Sequence, residues 1–422
     1  PNPPSGDRAR IPALDPAMRA RPARRLAAVQ TPVIPQLGAL IAATPGTLSL
    51  GQGMVNWAPP AQVGRAVAAA IEAAGQGAAG LDGYGPVVGD GPLLAAIDSQ
   101  LRQRDGFCLQ ESELLVTAGS NMAFNALIQV LLDPGDEVLL PLPWYFNHEM
   151  AVRLAGGVPV SVAAGVVPDP EPLAAAITPR TRAIVTVSPN NPSGAVMPRA
   201  VLEAINGLCA RRGLVHLHDE AYDLFTYGDA VHWSPGCLAG SGAHTVTLRS
   251  LSKAYGMAGW RLGYAVVPRP LMADLAKIQD TVLICPPRLT QVAAGAALAA
   301  GPDWCRPRIA ELAQRRARVL ERLGVDGAPW RLVTAPDGAF YALVELDTPL
   351  AAGGVMERLV REHRVAVVSG RSFGLGGCTL RLSYGVLEGA ALEEALDRLV
   401  GGLQALALGQ AQSIARIRST GL

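Results

Sequence analysis

Short apolar runs recur through the middle of the chain, each closed by a turn signal and followed by a stretch with helical spacing. The runs at 114–117, 137–140, 158–162, 183–187 and 214–218 read as strands, and the stretches 61–74, 92–104, 121–132 and 199–212 read as helices. Two more strands, 245–248 and 262–267, flank a glycine-containing loop. Strands apolar on both faces and separated by helices predict an α/β fold, a mostly parallel seven-stranded sheet buried between helical layers. After a long helical stretch at 290–323 the pattern changes. Runs at 341–346, 365–368 and 379–383 then read as strands of a smaller α+β unit that ends in a helix at 392–406. The expected organisation is a flexible arm at 1–30, an N-terminal segment at 31–60, a large domain at 61–295, a small domain at 296–410 and a flexible tail at 411–422.

The longest uncharged run, 26–64, is the one place where a membrane span has to be weighed. Pro32, Pro35, Pro45, Pro59 and Pro60 interrupt it, and its longest proline-free apolar piece, 36–44, is too short to span. It reads as a loop-rich soluble segment. Half of the 422 residues are hydrophobic and 17% are charged, so a chain disordered throughout is excluded. With 36 basic and 35 acidic residues the net charge is +1, and no global field recruits nucleic acid or an anionic membrane. Six scattered cysteines without CxxC spacing predict reduced thiols in a cytoplasmic protein. No metal-ligand cluster is visible, and His216 and His218, alternating on an apolar strand, read as structural.

The sharpest chemical signal lies in residues 250–263, where a lysine follows a strand. Ser250 and Ser252 precede Lys253, Arg261 returns eight positions later, and Gly256, Gly259 and Gly263 let the backbone fold back closely. A buried lysine of lowered pKa is the group that forms a Schiff base with an aldehyde. An arginine beside hydroxyls suits a bidentate grip on phosphate. Lys253 is one of only two lysines in a chain that otherwise uses arginine, the other being Lys277.

This segment resembles the lysine signature of the class I/II aminotransferases, pyridoxal 5'-phosphate enzymes of fold type I. Other segments match the family in order. In Leu217-His218-Asp219-Glu220-Ala221-Tyr222 the resemblance makes Asp219 the partner of the pyridine nitrogen and Tyr222 the donor to the ring phenolate. Asn190-Asn191-Pro192-Ser193-Gly194 resembles the family's Asn-Pro-Thr/Ser-Gly turn and implies that Asn191 bonds the same phenolate and lines the substrate site. Gly119, Ser120 and Asn121 lead from a strand into a helix and match the phosphate cup, with Ser250, Ser252 and Arg261. Tyr145 matches the residue that stacks on the pyridine ring, with Trp144 the competitor, and His148 matches the group that bonds the acid, here Asp219.

For the substrate, Arg381 resembles the family's α-carboxylate arginine, and Gly53 matches the backbone strip that closes over the bound amino acid. Tyr84 resembles the tyrosine that reaches the cofactor phosphate of the neighbouring subunit, which implies a homodimer with shared active sites. The resemblance spans roughly 30–405 and implies ping-pong transamination between an L-amino acid and a 2-oxo acid, with Lys253 as the proton-transferring base. The segments around Gln52–Trp57 and Tyr145–His148 are similar to enzymes acting on aromatic amino acids or methionine, so a neutral, aromatic or sulfur-containing donor is expected. A lyase, a cyclopropane-forming synthase or an oxidase of the same fold shares every cofactor residue. A cofactor-sensing regulator is disfavoured, because the first 60 residues read as too short and proline-rich for a DNA-binding domain.

Overall fold

The computed structural model describes residues 21–75 and 81–419, with side chains to Ala407. Most of the arm expected at 1–30, and the end of the tail expected at 411–422, lie outside the described residues. Strand β1 (Leu48–Ser49) precedes the seven strands of the large sheet: β2 (Ser112–Thr117), β3 (Glu137–Pro141), β4 (Val158–Val162), β5 (Thr181–Val187), β6 (Val215–Asp219), β7 (Thr245–Ser250) and β8 (Gly263–Pro268). Their spatial order is β2-β8-β7-β6-β5-β3-β4. All neighbours run parallel except β8, which is antiparallel to both β2 and β7. The smaller sheet is antiparallel, in the order β12-β13-β10-β9, from β9 (Trp330–Leu332), β10 (Tyr341–Leu346), β12 (Val368–Ser369) and β13 (Thr379–Ser383). β11 (Val365–Ala366) pairs in parallel with β1, which ties the N-terminal segment to the smaller unit.

The helices are α1 (Val33–Ala42), α2 (Ala61–Gly75), α3 (Gly91–Gln100), α4 (Ser120–Leu131), α5 (Phe146–Leu154), α6 (Pro170–Ala175), α7 (Arg199–Arg212), α8 (Met272–Leu283), α9 (Arg288–Leu323), α10 (Ala352–His363) and α11 (Gly389–Ser419). Alternating residues of the central strands enter different cores, so both faces of the sheet are buried. Val138, Leu140, Ala183 and Val185 pack with Leu127 and Ile128 of α4, while Leu139 and Ile184 pack with Ile205 and Leu208 of α7. Helix α9 is broken at Gly301, whose φ of 71° lies in the left-handed region just before Pro302.

Three sequence expectations need correction. The uncharged run is not merely loop: it contains α1, whose Val33 and Leu37 pack with Phe146, Val368 and Phe373. The arm acquires structure before residue 30: Arg24–Ala28 forms a 3-10 turn, and Gln30 Nε2 donates to Glu149 Oε2 at 3.1 Å. The final helix continues to Ser419, past the 406 at which the pattern ended it and into the segment expected as tail.

Directly behind the carboxyl ends of β6 and β7 lies a buried charge cluster. Arg249 Nη2 is 2.5 Å from Glu220 Oε2, and its Nη1 is 2.7 Å from Asp223 Oδ2 and 3.0 Å from Asp105 Oδ2. Arg104 joins through Asp223 at 2.6 Å and His232 through Glu220 at 3.1 Å. Burial pushes the Asp105 carboxyl up to about 6, against the pull of Arg104, and Glu220 also rises through burial. Removing one partner of such a cluster strands the others without a counter-ion. Arg249→Met is expected to destabilise the protein by about 3–5 kcal/mol, read as a lower urea midpoint. An unchanged midpoint would show that the cluster contributes nothing net.

Candidate functional site

Parallel strands end at a common edge, and four neighbours in this sheet deliver chemistry there. β3 leads to Tyr145, β5 leads to Asn191, β6 ends on Asp219, and β7 ends on Ser250, three residues before Lys253. β8 runs the other way, so its start lies at this edge: Gly263 pairs with Ser250 on one side and Thr117 on the other. That reversal sets Arg261 against the entry to α4. Gly119, at φ 89°, N-caps α4, and a Cβ there would collide with the Arg261 guanidinium. A Cβ on Gly263 would lie 2.5 Å from the Ser120 amide nitrogen. The resulting cavity, about 230 Å³, brings together Gly53, Ser120, Asn121, Tyr145, Asn191, Asp219, Tyr222, Ser250, Ser252, Lys253, Arg261 and Arg381.

Electrostatically the site holds cations short of partners. Lys253 Nζ donates to the Gly53 carbonyl at 2.5 Å. Burial, reinforced by Arg261 and Arg381, lowers its pKa to about 8, with Asp219 pulling the other way. Arg381 is 1% exposed. Its Nη1 donates to Asn191 Oδ1 at 3.1 Å, its Nη2 donates to the Gly51 carbonyl, and its Nε has no partner among the described residues. A buried guanidinium with only neutral acceptors is costly unless an anion joins it. Burial accordingly lowers its pKa, which the hydroxyls of Tyr341, Tyr222 and Tyr145 offset.

Asp219 is held from two sides. Its Oδ1 accepts from the Ala221 amide at 3.0 Å, and its Oδ2 lies 3.1 Å from His148 Nε2. His148 stacks on Phe124, with ring centroids 4.0 Å apart. The two asparagines after β5 divide their work. Asn190 builds the turn, accepting from the Ser193 amide at 3.0 Å and the Ser193 hydroxyl at 2.7 Å, while Asn191 faces the cavity. Gly194, at φ 73°, closes the turn where a Cβ would lie 2.6 Å from the Tyr341 carbonyl oxygen.

Trp144 does not line the cavity; its Nε1 donates to the Ser372 carbonyl at 3.2 Å, leaving Tyr145 at the site. Tyr84 is not brought to the site of its own chain and is 82% exposed. His216 and His218 form a buried chain in which Thr186 Oγ1 is 2.8 Å from His216 Nε2 and 2.6 Å from His218 Nδ1. Burial keeps both neutral, His216 down at about 3 and His218 well below its ordinary value. Sequence reasoning missed Tyr341, whose hydroxyl lies 2.7 Å from that of Tyr222, and Ile34 of α1, which lines the cavity. Tyr341 carried the signal of a core strand only. Among the described residues there is no cluster placed to hold a metal ion and no helix long and apolar enough to cross a membrane.

The residues present fit pyridoxal phosphate. An anion cradle exists where Gly119 and Gly263 bring the α4 amino end against Arg261, a carboxylate stands at the end of β6, and an amine of lowered pKa faces the same space.

The sequence matches the family "Aminotransferase class I and II" over residues 48–399. It is 38% identical over 323 residues to the aspartate/prephenate aminotransferase of Thermus thermophilus, covering 75% of this chain and 82% of that protein. It is 32% identical to an aromatic aminotransferase of Arabidopsis thaliana, covering 91% of this chain and 96% of that one. The structure of aspartate aminotransferase from Thermus thermophilus with maleate superposes with a TM-score of 0.81 at 32% identity, over 91% of this chain and 100% of that one. A sheet edge that gathers a lysine, an aspartate and Arg261 in a cavity also lined by Arg381 of β13, and a family match over most of the length, have one meaning: this chain belongs to the class I and II aminotransferases, pyridoxal-phosphate-dependent enzymes of fold type I.

Proposed function

We propose that this aminotransferase takes its amino group from a neutral, aromatic or sulfur-containing L-amino acid and acts in the cytoplasm as a homodimer with shared active sites. The observation that carries the donor class is the make-up of the cavity. Its guanidinium groups among the described residues are Arg261 and Arg381, and its lining also includes Ile34, Gln52, Met54 and Phe146. With Arg261 on the cofactor phosphate and Arg381 on the α-carboxylate, the described residues of a single chain leave no further guanidinium in the cavity for a carboxylate on the side chain. The exposed Tyr84 supports the dimer, since a residue matching the phosphate-binding tyrosine of a neighbouring subunit does not line the cavity of its own chain.

In this reading Gly119, Ser120, Asn121, Ser250, Ser252 and Arg261 hold the cofactor phosphate. Asp219, oriented by His148, pairs with the pyridine nitrogen. Tyr222 and Asn191 would hydrogen-bond the ring oxygen, and Tyr145 would pack on the ring. Bound there, the cofactor supplies an electron sink for the substrate's Cα. Arg381 fixes the substrate carboxylate bidentately, which orients the Cα–H bond, and Gly53 lays its backbone over the amino acid. Lys253 Nζ, whose pKa burial lowers to about 8, would be the base that takes the proton from the substrate's Cα.

Half-reactions followed by visible absorbance on a panel of amino acids test the donor class: phenylalanine and methionine are expected to react faster than aspartate, and the reverse order overturns it. Ammonia or peroxide instead of a 2-oxo acid would identify a lyase or an oxidase. Arg381→Leu is expected to lower kcat/KM by about 10- to 100-fold, the range for a lost hydrogen-bonded charge; an unchanged kcat/KM removes it from the substrate site. Aldehyde capture requires the unprotonated amine, so uptake of pyridoxal phosphate by cofactor-free protein should rise with pH through a midpoint about 8. Lys253→Ala should abolish the visible band, and a midpoint near the free-lysine value would show that burial does not tune this amine.

A further inference from the structure

The hydroxyls of Tyr222 and Tyr341 lie 2.7 Å apart in the cavity wall, and their geometry does not by itself say which one donates. The surrounding bonds do. A guanidinium can only donate, so Asn191 turns Oδ1 towards Arg381 Nη1 at 3.1 Å. Its Nδ2 therefore faces the Tyr222 oxygen, 3.5 Å away, as a donor. Tyr222 has one proton to give. If that proton goes to a cofactor oxygen, the role proposed above, then Tyr341 has to donate to Tyr222.

Tyr341 is fixed for this task. Its backbone is paired with Ser383 on β13, and its ring is fully buried. The ring stands edge-on to Tyr222 at 84°, with centroids 5.5 Å apart, and beneath the Arg381 guanidinium at 4.7 Å. On the open side its hydroxyl abuts Gly53, where an added Cβ would lie 2.5 Å from it. Burial raises the pKa of both hydroxyls, Tyr341 to about 12, so both keep their protons while the cofactor site titrates.

We propose that Tyr341 is a positioning residue whose hydroxyl donates to Tyr222 and so turns the Tyr222 proton towards the ring oxygen of the bound cofactor. The inference rests on the Tyr222 assignment above. Donation into the Tyr222 oxygen makes its O–H a better donor, as expected for hydrogen bonds in series. A better-stabilised ring oxygen releases its hold on the proton shared with the lysine-bound nitrogen. The charged and titratable groups facing this pair are Arg381, Arg261, Lys253, Asp219 and Tyr145, and a Tyr341→Phe substitution leaves all of them in place.

The experiment is a pH titration of visible absorbance for the enzyme reconstituted with pyridoxal phosphate, in wild type, Tyr341→Phe, Tyr222→Phe and the double variant. Tyr341→Phe is expected to raise the titration midpoint by about 0.5–1 unit, the size of one lost hydrogen bond. In the Tyr222→Phe background the same change should shift nothing, because the proton to be steered is gone. An unshifted midpoint in Tyr341→Phe, or an equal shift with and without Tyr222, overturns the inference. Wild type without a visible band would instead overturn the cofactor assignment. Should Tyr341→Phe fail to fold, Gly53→Ala displaces the same hydroxyl with the ring retained. It is expected to move the midpoint in the same direction, and no movement counts against the proposal.

Discussion

Strand polarity is the constraint on which the site depends. A parallel sheet places the carboxyl ends of its strands along one edge, so residues far apart in sequence become neighbours there without any further device. Tyr145, Asn191, Asp219 and Lys253 need only follow adjacent strands to meet. The reversed strand β8 adds what a purely parallel sheet cannot. Its amino end arrives at the same edge, wedged between the ends of β7 and β2, and it carries Arg261 to the first turn of α4. Had β8 run parallel, Arg261 would have started at the opposite edge of the sheet.

The second constraint is charge. Lys253 and Arg381 are withdrawn from water with carbonyl and amide acceptors in place of carboxylates. Such a site is unfavourable as it stands and favourable once anions enter, so part of the binding energy of substrate and cofactor relieves an existing penalty. A few ångströms deeper the logic inverts. Arg249, next in sequence to Ser250, forms ion pairs with Glu220, the neighbour of Asp219, and with Asp223 and Asp105. Alternation along the two strands thus separates a functional face, left incomplete, from a structural face that anchors the same loops.

Much of this was legible in the sequence because the informative residues sit at local punctuation. A short apolar run followed by a turn marks a strand end, and Asp219, Asn191, Gly119 and Lys253 each stand at one. Helix α1 was hidden for the opposite reason: Pro35, Gly38 and an absence of charge leave no polar face to set a period, and its burial against Phe146 and Phe373 appears only in three dimensions. Tyr341 was invisible because an apolar strand is a sufficient account of it until its hydroxyl is seen beside Tyr222. The Arg249 cluster escaped notice because its members are drawn from residues 104 to 249, a pairing that no local pattern encodes.

The scarcity of lysine has a practical consequence. The chain carries two side-chain amines, and they occupy opposite environments. Lys277 is 76% exposed on a helix and pairs with Asp274 at 2.6 Å, whereas Lys253 lines the cavity and burial lowers its pKa to about 8. Amine-directed reagents therefore meet two side-chain addresses that differ in access and in nucleophilicity. Occupancy of the cavity shields Lys253, which leaves Lys277 as the side-chain amine open to a reductive label or a cross-linker.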